Sequence, residues 1–262
     1  MTIKNIISDW DGTIIKNPGK IIKFEIGPYY FENMDREIEH LIDFTLDVSI
    51  FTMLFNPYKF FKFLSAKWDM IDAYLKSKKR DIDLVAEIYR IFNKKVAKGL
   101  TKDGVINTID TLTKFDARDY LDKRILNVID KAHKNGANTG ILSEANEIRI
   151  SKTLVKSGYR DVFDFIVANK IKFKGESVEE FCLDIHRNKD KYLKQIMDEY
   201  KLNPEETAYI GDNENDEPCF EMVGYPVVAF MAGEDFKEKC SKKYGAFIPE
   251  GGKDLHDFLC RG

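Results

Sequence analysis

The chain has 262 residues, 44% of them hydrophobic, so it can bury a substantial core and is long enough for one or two domains. Its 41 Lys and Arg residues nearly balance its 44 Asp and Glu residues, and the formal charge of -3 gives no overall field that would attract nucleic acid or an anionic membrane. The four cysteines form no CxxC pair and have no histidine at zinc spacing, which predicts reduced thiols in a cytoplasmic protein; they are Cys182, Cys219, Cys240 and Cys260.

The N-terminal residues predict a buried strand that delivers carboxylates to a turn. The apolar run from Ile3 to Ser8 ends in Asp9-Trp10-Asp11-Gly12. Residues 16 to 33 contain turn residues and predict a loop or a small β-excursion, and roughly 80 residues of helical periodicity follow. No apolar run reaches the length of about 20 residues that a membrane helix needs. The segment therefore predicts an all-helical insertion and no membrane span.

A different pattern begins near Asp116. A helix is predicted up to Asn135-Gly136, and from there strands and helices alternate. The further strands are predicted over 137–142, 163–168, 207–210, 227–230 and 246–248, and the further helices over 146–157 and 189–200. Such alternation predicts an open parallel sheet with helices on both faces. The expected α/β core comprises residues 1–15 and 117–262, and the helical insertion, with its initial loop or flap, residues 16–116.

Polar residues follow three of the predicted strands. They are Asp9 to Thr13, Ser143, and Gly211 to Asp216. Ligands of open α/β sheets bind beyond the carboxyl ends of the strands, so one site is expected there. Two carboxylates about 4 Å apart would repel each other by about 4 kcal/mol at an effective dielectric near 20. Because the candidate ligands are all oxygen atoms, the predicted counter-ion is a hard cation such as Mg²⁺.

Each motif also has a structural interpretation. Asp-x-Asp-Gly is an ordinary turn sequence, and Ser143 could cap a helix, since Glu147 lies near a capping-box position. Lys189 alone would be read as a solvated helix residue, and the Gly-Asp-x-x-x-Asp run as a strand-to-helix turn. The occurrence of all four in one order, three of them at strand ends, favours an active site.

These residues resemble the four ordered motifs of the haloacid dehalogenase (HAD) superfamily. The resemblance rests on Asp9 to Thr13, Ser143, a later lysine, and Gly211 to Asp216, and it covers the α/β part of the chain. It implies a Rossmannoid core with a helical cap inserted after the first strand. Val167-Ala168-Asn169 and Asn188 to Leu193 are similar to segments of phosphoserine-phosphatase-like members, which makes Lys189 the expected motif lysine and Lys191 its alternative.

The resemblance implies a role for each motif residue. Asp9 would be the nucleophile that forms an aspartyl-phosphate, and Asp11 would protonate the leaving alcohol and then deprotonate the attacking water. The expected phosphate-binding residues are Ser143, Glu144 and Lys189. The expected Mg²⁺ ligands are Asp9, Asp11 through its backbone carbonyl, and Asp212, with Asp216 completing the outer contacts or orienting the lysine.

The implied reaction is Mg²⁺-dependent hydrolysis of a small phosphorylated metabolite. Asp11 argues against a haloacid dehalogenase, because that reaction needs no proton donor to an alcohol. A phosphosugar mutase and a catalytically idle protein that binds a metal and a partner are the alternatives. Phosphoserine is not assigned as the substrate, because Ser143-Glu144-Ala145-Asn146 lacks the usual glycines and adds a negative charge. The sequence predicts no oligomeric state.

Overall fold

The computed structural model describes residues 3–16, 65–66, 69–70, 72–73, 76, 83–95, 97 and 100–260, without the side chains of residues 84, 85, 108, 111, 112, 115 and 119. The contacts between residues of the chain divide the protein into two compact units. The core unit comprises Met1–Pro18, Thr113–Asn169 and Asp184–Gly262, and the second unit comprises Gly19–Leu112 and Lys170–Leu183.

The described residues form seven strands and eight α-helices. The strands are β1 (Asn5–Ser8), β2 (Asn138–Asn146), β3 (Phe165–Asn169), β4 (Ile171–Lys174), β5 (Ser177–Phe181), β6 (Thr207–Gly211) and β7 (Tyr225–Val228). The helices are α1 (Leu84–Lys95), α2 (Lys102–Phe115), α3 (Lys123–Lys134), α4 (Glu147–Ser157), α5 (Lys189–Tyr200), α6 (Glu217–Phe220), α7 (Glu234–Tyr244) and α8 (Gly252–Leu259). A π-helical turn, Asp116–Tyr120, follows α2.

The core unit contains a five-stranded parallel sheet in the order β3-β2-β1-β6-β7. Ser8 at the end of β1 pairs with Ile141 on one side and Ile210 on the other. The residues that follow these three positions therefore leave the sheet at the same carboxyl edge. This register places the segments beginning at Asp9, Ser143 and Asp212 next to one another.

Both faces of the sheet are buried, which explains why its strands read as nearly continuous apolar runs. On one face Ile6 packs in a cluster with residues of α3 and α8, among them Ile129 and Leu255. On the other face Ile7 packs with residues of α5, among them Leu193. The predicted α/β sheet with helices on both faces is thus confirmed.

Helix termini in the core unit are set by local sequence. The Asp122 side chain accepts a hydrogen bond from the backbone N–H of Arg124 at the start of α3. Asn146 caps α4 in the same way, accepting from Ile148 and Arg149, and Gly158 ends that helix in the left-handed conformation. Small polar residues at the N-cap and glycine after the helix are the usual signals for such ends.

The second unit contains a hairpin that the sequence did not predict. Strands β4 and β5 are antiparallel, and the turn between them includes Gly175 at a φ of +60°. The rings of Phe92 in α1 and Phe181 in β5 lie 5.1 Å apart, and the Asn93 side chain hydrogen-bonds both backbone groups of Phe181. Residues 170–183 were expected in the core, but their contacts place them in the second unit.

The predicted strand over 246–248 is wrong: Phe247 makes only an isolated bridge to Val227. Pro249 follows at once, and a proline cannot donate to a strand ladder. The loop predicted over 16–33 lies, beyond Lys16, outside the described residues. In the part of the chain that is described, no helix combines the length and apolarity that a membrane crossing requires.

Candidate active site

The loop after β1 carries the first two aspartates. The backbone N–H of Asp9 donates to the carbonyl of Ile210, which extends the β1–β6 pairing by one residue. The chain then turns tightly, since Ile14 and Ile15 both donate to the carbonyl of Trp10. As a result Asp9 is 3% exposed at the carboxyl edge of the sheet.

Three carboxylates converge at this edge. Asp9, Asp212 and Asp216 each offer one oxygen, and these atoms all lie within 4.8 Å of one another. Thr13 donates a hydrogen bond of 3.2 Å to Oδ1 of Asp212. A Cβ on Gly12 would lie 2.0 Å from Oδ2 of Asp212. The position of the Asp212 carboxylate therefore requires glycine at position 12.

Lys189 lies among these carboxylates at the first residue of α5. Its Nζ is 2.7 Å from Oδ1 of Asp216 and 3.1 Å from Oδ1 of Asp9, and the residue is 4% exposed. Lys191, the alternative motif lysine, is exposed and donates to Oδ1 of Asn188. The structure thus brings Lys189 to the aspartates and leaves Lys191 on the surface of the helix.

Asp216 is fully buried and accepts hydrogen bonds from four groups. Oδ1 accepts from Lys189 Nζ and from the hydroxyl of Tyr209 at 2.9 Å. Oδ2 accepts from the backbone N–H groups of Asp212 and Asn213 at 2.9 and 3.3 Å. These bonds fix Asp216 in place, so its carboxylate orients Lys189 and supports the turn that presents Asp212.

Burial sets the electrostatics of the site. It raises the pKa of Asp9 to about 7, against the charge of Lys189 and with added repulsion from Asp216 and Asp11. Burial also raises the pKa of Asp212 well above its usual range, with Asp216 and Asp9 as further causes. Burial alone would lower the pKa of Lys189, but the surrounding carboxylates, led by Asp216, raise it. The site therefore contains more carboxyl groups than cations, and in the metal-free protein burial favours the protonated forms of Asp9 and Asp212.

The site fits a hard divalent cation. Oδ1 of Asp9 is buried and, among the described residues, has no hydrogen-bond partner, although Lys189 lies near it. Burial is the main cause of the raised pKa values of Asp9 and Asp212, and a cation would lower the repulsion between carboxylates that adds to it. The oxygen-only donor set agrees with the expected Mg²⁺. Asp11 is not part of the three-carboxylate group, and its expected contribution is the backbone carbonyl.

Ser143 lies in β2 and is 1% exposed. It does not cap α4, because Asn146 does; its Oγ instead accepts a hydrogen bond of 3.2 Å from the N–H of Ala145. Glu144 follows it and is half-buried. The edge of the sheet thus presents Ser143 and Glu144 beside the β1 loop, as the pairing of Ser8 with Ile141 requires.

Several residues near the site carried no clear signal in the sequence. Nδ1 of His186 lies 2.8 Å from Oε2 of Glu144, and Asn169 donates to the backbone carbonyl of Glu144 at 2.6 Å. The four histidines are scattered along the chain, and only folding brings residue 186 to residue 144. In the sequence, the segment containing Asn169 stands out only through its family resemblance. Tyr209 looked like an ordinary residue of a buried strand.

A protein-family model described as haloacid dehalogenase-like hydrolase matches residues 3–224. A curated relative, a putative phosphatase from Mycoplasma genitalium, is 42% identical over 65 residues. That match covers 24% of this chain and only 23% of the relative.

Solved structures share the fold. A HAD family hydrolase from Salmonella enterica serovar Typhi aligns with a TM-score of 0.62 at 17% identity, over all of this chain and 72% of that one. A phosphoserine phosphohydrolase-like protein from Francisella tularensis aligns with a TM-score of 0.57 at 16% identity, over 98% of this chain and 99% of the other.

Proposed function

Because the chain belongs to the haloacid dehalogenase-like hydrolases, we propose that it is a phosphatase that hydrolyses small phosphomonoesters with Mg²⁺ through an aspartyl-phosphate on Asp9. The observation that carries the proposal is the position of Lys189. Its Nζ contacts the carboxylates of Asp9 and Asp216, the two buried members of a group of three aspartates. A buried cation beside a carboxylate nucleophile is suited to a reaction in which a phosphoryl group adds negative charge.

In this proposal two aspartates carry the covalent chemistry. Asp9 attacks phosphorus and the alcohol leaves, which divides hydrolysis into two easier steps. Asp11 gives its proton to the departing oxygen and then takes a proton from the water that attacks the aspartyl-phosphate. Inorganic phosphate leaves, and Asp9 and Asp11 return to their starting states.

The remaining site residues bind and orient the phosphoryl group. Ser143, Lys189 and the backbone N–H of Glu144 are its proposed contacts, since the Glu144 carboxylate would repel phosphate. Lys189 also offsets the charge of Asp9 as the phosphoryl group approaches. Asp9, the backbone carbonyl of Asp11 and Asp212 would hold Mg²⁺. The bound ion would supply positive charge that lets a phosphate dianion enter beside carboxylates. Asp216 keeps the lysine in place.

The decisive experiment measures phosphate release by the wild type and by Asp9→Asn. The wild type is expected to release phosphate from some members of a panel of phosphorylated amino acids, sugars and nucleotides, and to stop when Mg²⁺ is chelated. Asp9→Asn should reduce turnover by about 10³-fold or more, because an amide is a poor nucleophile. Asp130→Asn on α3 is the control, since Asp130 pairs with Lys134 and is not one of the three converging aspartates.

Other outcomes would replace the proposal. Turnover that persists in Asp9→Asn removes the assigned nucleophile. Interconversion of sugar phosphates without phosphate release identifies a mutase. A wild type that binds Mg²⁺ but turns over nothing in the panel is a catalytically idle binding protein.

A second prediction distinguishes the two candidate lysines. Lys189→Met should abolish turnover, and by leaving Asp216 buried without its cation it should lower the free energy of unfolding by about 3–5 kcal/mol. Lys191→Met, on the exposed side of the same helix, should leave both nearly unchanged. Chemical denaturation and steady-state kinetics measure the two effects. Loss of turnover in Lys191→Met with activity retained in Lys189→Met would reverse the assignment.

The proposal includes a cytoplasmic location and a small phosphorylated metabolite as the substrate. Its support is the chemistry of the site together with the four cysteines, all of which are free thiols in the described part of the chain.

A further inference from the structure

Two segments of the core unit meet beside the site. One is the end of β2, with Ser143 and Glu144, and the other is the segment 184–188 that leads into Lys189 at the start of α5. More than 40 positions separate Glu144 from His186 in sequence. The relative placement of Ser143, a proposed phosphate contact, and Lys189 therefore depends on the contacts between these two segments.

Asn169, the last residue of β3, joins them through its side-chain amide. Its Nδ2 donates to the backbone carbonyl of Glu144 at 2.6 Å, and its Oδ1 accepts from the backbone N–H of Ile185 at 3.0 Å. Asn169 is 3% exposed. Each of these backbone groups would cost about 1–3 kcal/mol if it were buried without a partner.

The chemistry of the two backbone groups fixes the orientation of this amide. A carbonyl only accepts and an N–H only donates, so Nδ2 must face Glu144 and Oδ1 must face Ile185. A carboxylate has no donor for the carbonyl, and an apolar side chain serves neither group. The position therefore requires a side chain that donates at one end and accepts at the other.

His186 makes a second link between the same two segments. Its Nδ1 lies 2.8 Å from Oε2 of Glu144, and because an ionised carboxylate only accepts, Nδ1 is the donor. The side chains are 9% and 24% exposed, so the contact is largely shielded from water. Glu144 is thereby held at its backbone by Asn169 and at its carboxylate by His186. The negative charge of Glu144 also acts on Lys189 and contributes to its raised pKa.

We infer that Asn169 and His186 are positioning residues. They hold the Ser143–Glu144 part of β2 against the segment that leads to Lys189, so that the proposed phosphoryl contacts keep their relative positions. The inference rests on the proposed function. A loop displaced by about 1 Å can cost 10²-fold in rate, because transition-state contacts are more sensitive to position than ground-state binding. The links should therefore affect kcat more than KM.

The test for Asn169 is the variant Asn169→Asp. It keeps the oxygen that accepts from Ile185 and replaces the amide nitrogen that donates to Glu144 with a second acceptor oxygen. Asn5→Asp is the matched control: Asn5 is also 3% exposed, and its amide bridges Thr207 and Asn138 at the opposite end of the sheet. Asn169→Asp should lower kcat by about 10- to 100-fold with KM changed by less than about threefold. It should weaken calorimetric binding of inorganic phosphate with Mg²⁺ present by no more than about threefold, whereas Asn5→Asp should change only the melting temperature.

The test for His186 compares His186→Leu with His186→Asn, whose amide can place a donor near the position of Nδ1. His186→Leu should lower kcat and phosphate affinity, and His186→Asn should recover most of both. This pair keeps the inference testable if Asn169→Asp does not fold. Two results in an active enzyme would overturn this inference and leave the proposed function standing. One is that His186→Leu and His186→Asn have equal effects. The other is that Asn169→Asp and Asn5→Asp have equal kinetic effects. A wild type that neither hydrolyses phosphomonoesters nor binds phosphate would overturn the proposed function and this inference with it.

Discussion

Gly12 lies so close to Asp212 that the site has no room for a side chain at this position. It adopts a φ of +76°, which L side chains rarely adopt, and a Cβ there would lie 2.0 Å from Oδ2 of Asp212. Glycine therefore serves two needs at this position, the turn after Asp11 and the close approach of a proposed metal ligand.

The variant Gly12→Ala tests the second need. It should raise the Mg²⁺ concentration for half-maximal activity by about tenfold or more, because the new methyl group displaces Asp212. Gly136→Ala is the matched control, since Gly136 has a φ of +93° and nothing within 4 Å of the added Cβ. Both variants carry a backbone penalty of roughly 1–2 kcal/mol, which denaturation measures. A similar Mg²⁺ requirement in the two variants would contradict the assigned position of Asp212.

At the scale of elements, a buried ion pair connects α4 to the π-helical turn 116–120. Nε and Nη2 of Arg149 lie 2.8 and 3.0 Å from the two carboxylate oxygens of Asp116, and Thr153 also donates to Asp116. The Asp116 side chain is 0% exposed and that of Arg149 is 9% exposed. The pair therefore fixes α4, which begins directly after β2, to the chain that precedes α3.

Removal of Arg149 should be costly because it leaves Asp116 as an uncompensated buried charge. Arg149→Leu is expected to lower the free energy of unfolding by about 3–5 kcal/mol. Lys134→Met, which breaks the surface pair with Asp130, should cost less than about 1 kcal/mol. Chemical denaturation of both variants measures the difference. A comparable small loss in each would show that the Arg149–Asp116 pair does not stabilise the attachment of α4 to this turn.

Element boundaries could be predicted where the signals are local. Helix α5 was expected over 189–200 and α4 over 146–157, and both lie within one residue of those bounds. The β4–β5 hairpin was missed, because its buried residues pack on α1, more than 80 positions earlier in the chain. The strand expected at 246–248 was wrong because pairing on one side of Phe247 stops at Pro249.

At the scale of the whole molecule, the acidic site couples stability to pH and to metal. Burial raises the pKa of Asp9 from 3.8 to about 7, so the folded state binds this proton more tightly than the unfolded state. The metal-free protein should therefore lose stability as the pH rises from about 4 to about 7. A carboxylate stabilised by an ion pair behaves in the opposite way, because its contribution to stability is lost as the pH falls.

Mg²⁺ should restore that stability where the carboxylates are ionised. The increase in Tm on adding Mg²⁺ is expected to be at least about twice as large near pH 8 as near pH 5.5, where the proton competes with the metal. Thermal melts with and without Mg²⁺ at the two pH values measure it. In Asp9→Asn, which lacks this titrating ligand, the difference should shrink. An equal Mg²⁺ effect at both pH values in the wild type would mean that the metal does not bind these carboxylates.

The sequence by itself determined the parallel α/β core, the strand ends that carry polar residues, and the acidic, oxygen-only character of the site. These features depend on patterns within a few residues: apolar runs, turn residues and motif spacing. Only the tertiary structure decided that Lys189 and not Lys191 lies against Asp9, that Asp216 is engaged by four donors, and that Asn169 and His186 hold Glu144. Those contacts join positions far apart in the chain, and the sheet register and helix rotation that create them result from packing of the whole core.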